Sequence, residues 1–262
     1  MTVGSRREED ELSTGVQTKI GTFIWHENQS TDVEKAKRFY TELLGWQTEK
    51  WQGEMEYTII KVGGKGSGGI MAAQGGAPSH WMGSVLVEDT DETARRAEAA
   101  GGRILFGPES MPEVGRFAVI ADPQGAVTTA FAPQGEGEMG EGVFVWDELH
   151  TSDPAAAKSF YDEVYGWTAD DQDMGGVTYT IFKRGEVQVA GCFPLMEGQS
   201  GPNWLVYIGT DDVDATTARA KELGGNVIVE PEDIPNGIGR FSVLQDPAGA
   251  VFGLFKPGSG GQ

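Results

Sequence analysis

The stretch from Phe23 to Ser30 reads FIWHENQS, and the stretch from Phe144 to Thr151 reads FVWDELHT. Side chains on a strand alternate with period two, so Trp25, Glu27 and Gln29 share one face, as do Trp146, Glu148 and His150. Where such a face lines a groove, a carboxylate between aromatic rings is partly desolvated and its pKa tends upward. That suits a general base or a partner for a cationic ligand, and makes Glu27, Glu148 and His150 the candidate catalytic residues. The plainer reading is that each glutamate pairs with a buried Arg, Tyr or backbone donor and holds its strand; Arg116 and Arg240 are duplicated in the same way. His150 can share a proton with Glu148 or join it as a metal ligand, whereas its counterpart is Gln29. The Trp25 and Trp146 rings either stack on a planar ligand or fill a cavity. His26 falls on the opposite, helix-facing side and is read as structural or surface, and His80 opens a strand as the counterpart of Asn203, with either face open to it. Cys192 is the single cysteine, which excludes an internal disulfide and a clustered thiolate zinc site. It is read as a buried, inert thiol rather than a nucleophile.

The elements that must hold these residues are written twice. Asp32 matches Asp153, Phe39-Tyr40 matches Phe160-Tyr161, and Gly45-Trp46 matches Gly166-Trp167 at one constant offset. YTIIKVGG from Tyr57 answers YTIFKRGE from Tyr179, and VGRFAVIADPQGAV answers IGRFSVLQDPAGAV, with only short loop insertions between the copies. Two homologous domains are expected at 18–133 and 142–257, a Gly/Glu-rich linker at 134–141, and disordered tails at 1–17 and 258–262. In each copy a β-branched and aromatic strand runs into an aspartate cap, with Pro154 at the first helical position of the second copy. Val33, Ala36, Phe39, Tyr40, Leu43 and Leu44 follow at helical spacing, and Gly45 can close the helix at positive φ. Strands are expected near Tyr57–Val62 and Gly69–Ala72. The plan then repeats with a strand Trp81–Val87, a helix Glu92–Ala100 and strands near Ile104, Phe117–Ala121 and Ala126–Phe131. Each domain is therefore βαβββ twice over. GGKGSGG near Gly63 lacks the P-loop order and links strands instead of opening a helix, so it is read as a hairpin.

The chain has 262 residues, 39% hydrophobic and 10% aromatic, enough for a core in each domain. Forty acidic against twenty basic residues give a formal charge of -20, which repels phosphate backbones and anionic lipid. Nucleic acid and membranes are thus excluded as expected partners, and no window approaches the roughly 18 apolar residues of a membrane span. MTVGSRREED carries charges where a secretion signal needs an apolar run, so a cytoplasmic protein is expected, as monomer or homodimer.

The pattern D…A..FY…LGW after the first strand and DP.GA before the last resembles the vicinal-oxygen-chelate superfamily. Its members include glyoxalase I, extradiol dioxygenases, fosfomycin-resistance enzymes and bleomycin-binding proteins. The similarity is closest to the duplicated, glyoxalase-like actinobacterial branch often labelled hydroxylase. The resemblance implies an α+β fold of two tandem glyoxalase-like modules, each a pair of βαβββ units forming a curved mixed sheet around a groove. In enzymatic members a His or Gln seven residues before the capping aspartate and a Glu seven after the DP aspartate bind a divalent metal. Those positions hold Trp25, Trp146, Thr129 and Gly253 here, none a usual ligand. No cofactor is expected on that count. The implied function is binding of a small, planar organic ligand for sequestration or metal-independent acid/base chemistry, with Trp25, Gln29, Trp146, Thr129, Trp81 and Trp204 as ligand-binding candidates. Trp81 and Trp204 begin strands and suit core or groove alike. The alternative is a metal-dependent lyase, isomerase or oxygenase with a divalent metal relocated to Glu148 and His150, with Glu27 as a further ligand.

Overall fold

The computed structural model describes residues 20–134 apart from 54, and 143–258 apart from 196, 197 and 200. The expected tails lie largely outside the described residues, as does most of the expected linker. The first half runs β1 (Phe23–Ser30), α1 (Val33–Leu44), β2 (Gln47–Lys50), β3 (Tyr57–Val62), β4 (Lys65–Ala72), β5 (His80–Leu86), α2 (Thr90–Ala99), β6 (Arg103–Met111), β7 (Gly115–Ala121) and β8 (Val127–Pro133). The second half repeats it as β9 (Phe144–Thr151), α3 (Pro154–Tyr165), β10 (Thr168–Asp173), β11 (Thr178–Arg184), β12 (Val187–Pro194), β13 (Asn203–Gly209), α4 (Val213–Glu222), β14 (Asn226–Ile234), β15 (Gly239–Gln245) and β16 (Val251–Pro257).

The strands form two eight-stranded mixed sheets of equivalent order, β2-β3-β4-β1-β5-β8-β7-β6 and β10-β11-β12-β9-β13-β16-β15-β14. The fold is α+β, with four βαβββ units in two tandem modules. β2 and β10 are edge strands with charged sequences, QTEK and TADDQD, mostly exposed. They carry no apolar alternation, so only their backbone ladders mark them as strands. Among the described residues no helix is long and apolar enough to cross a membrane.

Local chemistry fixes the helices. Asp32, Asp89, Asp153 and Asp212 each accept a hydrogen bond from the backbone N–H three residues on. Gly45 and Gly166 end α1 and α3 in the left-handed conformation, both at φ 68°. The two larger cores are each built from both modules. α1 packs with α4 in a cluster holding Phe39, Tyr40, Trp46, Val206, Leu244 and Phe252, while α2 packs with α3 in a cluster holding Val85, Ala97, Ile120, Phe160, Tyr161 and Trp167.

Polar contacts across this junction are reciprocal. Tyr40 donates from its hydroxyl to Asp246 Oδ2 at 3.0 Å, and Tyr161 donates to Asp122 Oδ2 at 3.1 Å. The other oxygen of Asp122 accepts three backbone N–H bonds, from Gln124, Gly125 and Ala126, so the DP turn of one module is fixed and read by the helix of the other. At the centre His26 Nε2 meets Asp147 Oδ1 at 2.8 Å. These two residues are counterparts, 121 positions apart, and the pseudo-twofold runs between them.

Candidate functional site

β1 and β9 lie in the middle of their sheets, and one face of each strand turns away from the helices. On β1 that face carries Trp25, Glu27 and Gln29, and on β9 it carries Trp146, Glu148 and His150. Glu27 sits in register with Gly69, and Glu148 with Gly191. A Cβ at either glycine would stand 1.9 Å from a tyrosine hydroxyl, Tyr57 or Tyr179. The missing side chain lets each phenol reach the sheet beside its glutamate.

The same triad results in both grooves. Trp25 Nε1 donates to the Tyr57 oxygen at 2.7 Å, and Tyr57 is hydrogen-bonded to Glu27. Trp146 Nε1 donates to the Tyr179 oxygen at 2.9 Å, and Tyr179 donates to Glu148 Oε2 at 2.9 Å. Burial first, then the adjacent carboxylates, hold both phenols well above their ordinary pKa, so both are donors. The partners of the glutamates are thus tyrosines. Arg116 and Arg240, the other partners considered from sequence, pair instead with Asp91 and Asp214.

Beyond the triad the grooves diverge. Glu148 Oε1 also meets His150 Nε2 at 2.8 Å and the Tyr207 hydroxyl at 3.4 Å, while Gln199 Nε2 lies 2.5 Å from His150 Nδ1. With the amide donating to Nδ1, the imidazole carries its proton on Nε2 and Glu148 accepts three bonds. In the first groove Gln29 replaces His150 and Ser84 replaces Tyr207. Burial holds the Glu27 carboxyl above the ordinary carboxylate range, and the Tyr57 hydrogen bond only partly offsets it.

Thr129 lies in the same cross-strand row as Ser84 and Trp25 and therefore faces the first groove. Thr129 is buried, and its hydroxyl has no hydrogen-bond partner among the described residues. The groove wall beyond it is aromatic. Phe117 is paired with Phe131 across β7 and β8, and Phe106 stacks on Phe117 with ring centres 5.6 Å apart. Phe106 remains 54% exposed, an apolar ring at the groove rim.

Two of the sequence-derived candidates are displaced. Trp81 is in register with Asn28, and Trp204 with Leu149, on the helix-facing side. Both are buried, and their indoles donate to Tyr40 and Tyr161, so they pack the junction between modules and do not line a groove. His26 is on the helix side, as alternation requires. Cys192 is buried and its thiol is pushed up to about 12, chiefly by desolvation, leaving it unreactive. Tyr57, Tyr179, Tyr207, Gln199 and the paired glycines were not singled out from sequence, although the matched tyrosines and Gly69/Gly191 stand at equivalent points of the repeat.

The donor set at the expected metal positions does not fit a divalent cation. Trp25 and Trp146 present indole N–H donors that are already engaged. At Gly253 any side chain would run into the Tyr207 ring, 2.2 Å from a Cβ. Among the described residues no group of three His, Cys, Asp or Glu converges, and Glu27 belongs to a different sheet from Glu148 and His150.

The family description Glyoxalase/Bleomycin resistance protein/Dioxygenase superfamily matches residues 28–128 and 144–254. The chain belongs to that superfamily. Within it, this superfamily member is 36% identical over 253 residues to the Mycobacterium tuberculosis protein named "Putative glyoxylase CFP32", covering 90% of this chain and 95% of that one. It is 35% identical over 266 residues to the Streptomyces peucetius "Anthracycline biosynthesis protein DnrV", covering 90% and 93%. Among solved structures it resembles the Mn(II)-bound glyoxalase of Novosphingobium aromaticivorans, with a TM-score of 0.66, 17% identity, and 90% and 82% of the two chains covered. The halotolerant catechol dioxygenase BphC gives a TM-score of 0.66 at 16% identity over 91% and 87%. At those identities the superfamily fold is shared and the chemistry is not inferred.

Proposed function

We propose that the groove of the first module binds a planar, hydroxylated or quinone-like organic molecule, with Glu27 accepting a hydrogen bond or proton from it. The observation that carries this reading is the buried Thr129 hydroxyl with no partner in a groove walled by Trp25, Phe117 and Phe131. A buried polar group without a partner is costly to the fold and is retained where a ligand completes it. Glu27 supports the reading because desolvation raises its pKa and leaves it poised to take a proton. The wall suits offset stacking on fused rings. Kinship with a protein named for anthracycline biosynthesis agrees, since anthracyclines carry such rings. The ligand is held or deprotonated with no metal step.

A second reading places acid/base chemistry in the other groove, on the Glu148–His150 contact of 2.8 Å. It is the weaker one because three neighbours already donate to that carboxylate.

Quinizarin, a dihydroxyanthraquinone, separates the two in a calorimetric titration. Thr129→Val and Glu27→Gln are each expected to weaken binding about 3- to 10-fold, the worth of one lost hydrogen bond, and Glu148→Gln to leave it unchanged. Loss of binding in Glu148→Gln alone would transfer the site to the second groove. No binding to the wild type would overturn both.

A further inference from the structure

A cavity of about 570 Å³ lies away from both grooves, where the C-terminal end of α1 meets the second module. It is lined by Leu44, Gly45, Trp46, Val62, Asp211 and Thr216 among others. The repeat supplies a direct comparison, because the equivalent place in the other half of the molecule is filled. Val62 is the counterpart of Arg184, in YTIIKVGG against YTIFKRGE. Arg184 reaches over Gly21 and donates from Nη1 to the carbonyl of Gly166, at 3.0 Å. Its guanidinium nitrogen lies 2.2 Å from the place a Cβ would take at Gly166, whereas at Gly45 nothing among the described residues lies within 4 Å of that place.

The chemistry of the site follows from the helix end. The last carbonyls of a helix have no intrahelical partner and carry the negative end of its dipole. Neither α1 nor α3 has a basic residue in its last turn. Arg184 supplies that charge to α3 from a neighbouring strand, and Val62 cannot supply it to α1. Asp211 adds a carboxylate to the cavity wall, and the Leu43, Leu44 and Trp46 side adds apolar surface. Lys61 also lines the cavity, yet its ammonium is paired with Glu49 at 2.5 Å. Its counterpart Lys183 is paired with Asp170 in the same way beside Arg184, so the lysine does not exclude a guanidinium there.

We propose that this cavity is a binding site for a guanidinium or primary ammonium group on a short apolar stem, taking the place that Arg184 fills in the second module. The volume lies in the range of small-molecule sites, and the formal charge of -20 favours arrival of a cation. The site is independent of the groove reading and stands or falls separately from it.

Agmatine tests it by calorimetry or by chemical-shift titration. The wild type is expected to bind one equivalent with Kd about 1 mM or tighter. Val62→Arg should abolish binding, at least a tenfold loss, because the new side chain occupies the site as Arg184 does. Arg184→Val should open the equivalent cavity and raise the stoichiometry to two. Should Arg184→Val fail to fold, Val62→Arg alone decides. Absence of binding to the wild type, or binding that persists undiminished in Val62→Arg, would overturn the proposal, the second result marking diffuse attraction to an acidic surface.

Discussion

At Thr129 and Glu27 the first groove sets polar groups against aromatic walls, and their energetics make a pH prediction. The Glu27 carboxyl is held above its ordinary value of 4.5 by burial, so the fold favours its protonated form. Its contribution to stability is therefore fully present below that ordinary value and is lost as pH rises through the raised one. Glu27→Gln keeps an acceptor for Tyr57 and removes the buried charge. Thermal melts from about pH 4 to about pH 8 should show the variant more stable than the wild type at the upper end, with the difference vanishing at the lower end. A constant difference at all pH values would deny Glu27 its raised pKa. The trio faces at Trp25 and Trp146 were readable from alternation alone. Tyr57 and Tyr179 were not, because a cross-strand partner is fixed by register, and register depends on Gly69 and Gly191 admitting the phenols.

Among the elements, the helices and inner strands were legible because their caps and periodicity are local. β2 and β10 were not, since charged edge strands have no inward face to betray them. A tryptophan at a strand start does not reveal its face, so sequence alone leaves Trp81 and Trp204 open to core or groove; pairing with Asn28 and Leu149 turns both toward the helices. There they join Tyr40 and Tyr161 in a chain that runs Trp indole to Tyr hydroxyl to Asp carboxylate across the module junction. Tyr161→Phe leaves the Trp204 N–H without its acceptor and Asp122 Oδ2 without its donor. Denaturant unfolding should report a loss of about 1–3 kcal/mol with an unchanged m-value. A neutral substitution would show that water serves both groups equally well.

At the scale of the whole molecule the duplication does more than repeat a groove. α1 is buried against α4, α2 against α3, and the counterparts His26 and Asp147 pair on the pseudo-twofold with both side chains almost wholly buried. A histidine facing an aspartate is satisfied only when the two halves differ, so the sequence drift between copies is complementary at this point. Repetition was plain in the sequence, but the pairing of helices across the two modules was not, because no local pattern states which apolar face meets which. One cooperative unfolding transition is expected, seen alike by far-UV and near-UV circular dichroism; two separated transitions would mean that each module keeps a core of its own. The grooves lie on the sheet faces away from this shared core, which leaves them free to diverge while the junction holds the scaffold. The first groove is the proposed ligand site, and a crystal structure of the protein with quinizarin is the direct test. The fused rings are predicted between Trp25 and the Phe117/Phe131 wall, with an oxygen within hydrogen-bond distance of Thr129 Oγ1. Rings seated instead against Tyr207 and Glu148 in the second groove, with the first unchanged, would contradict it.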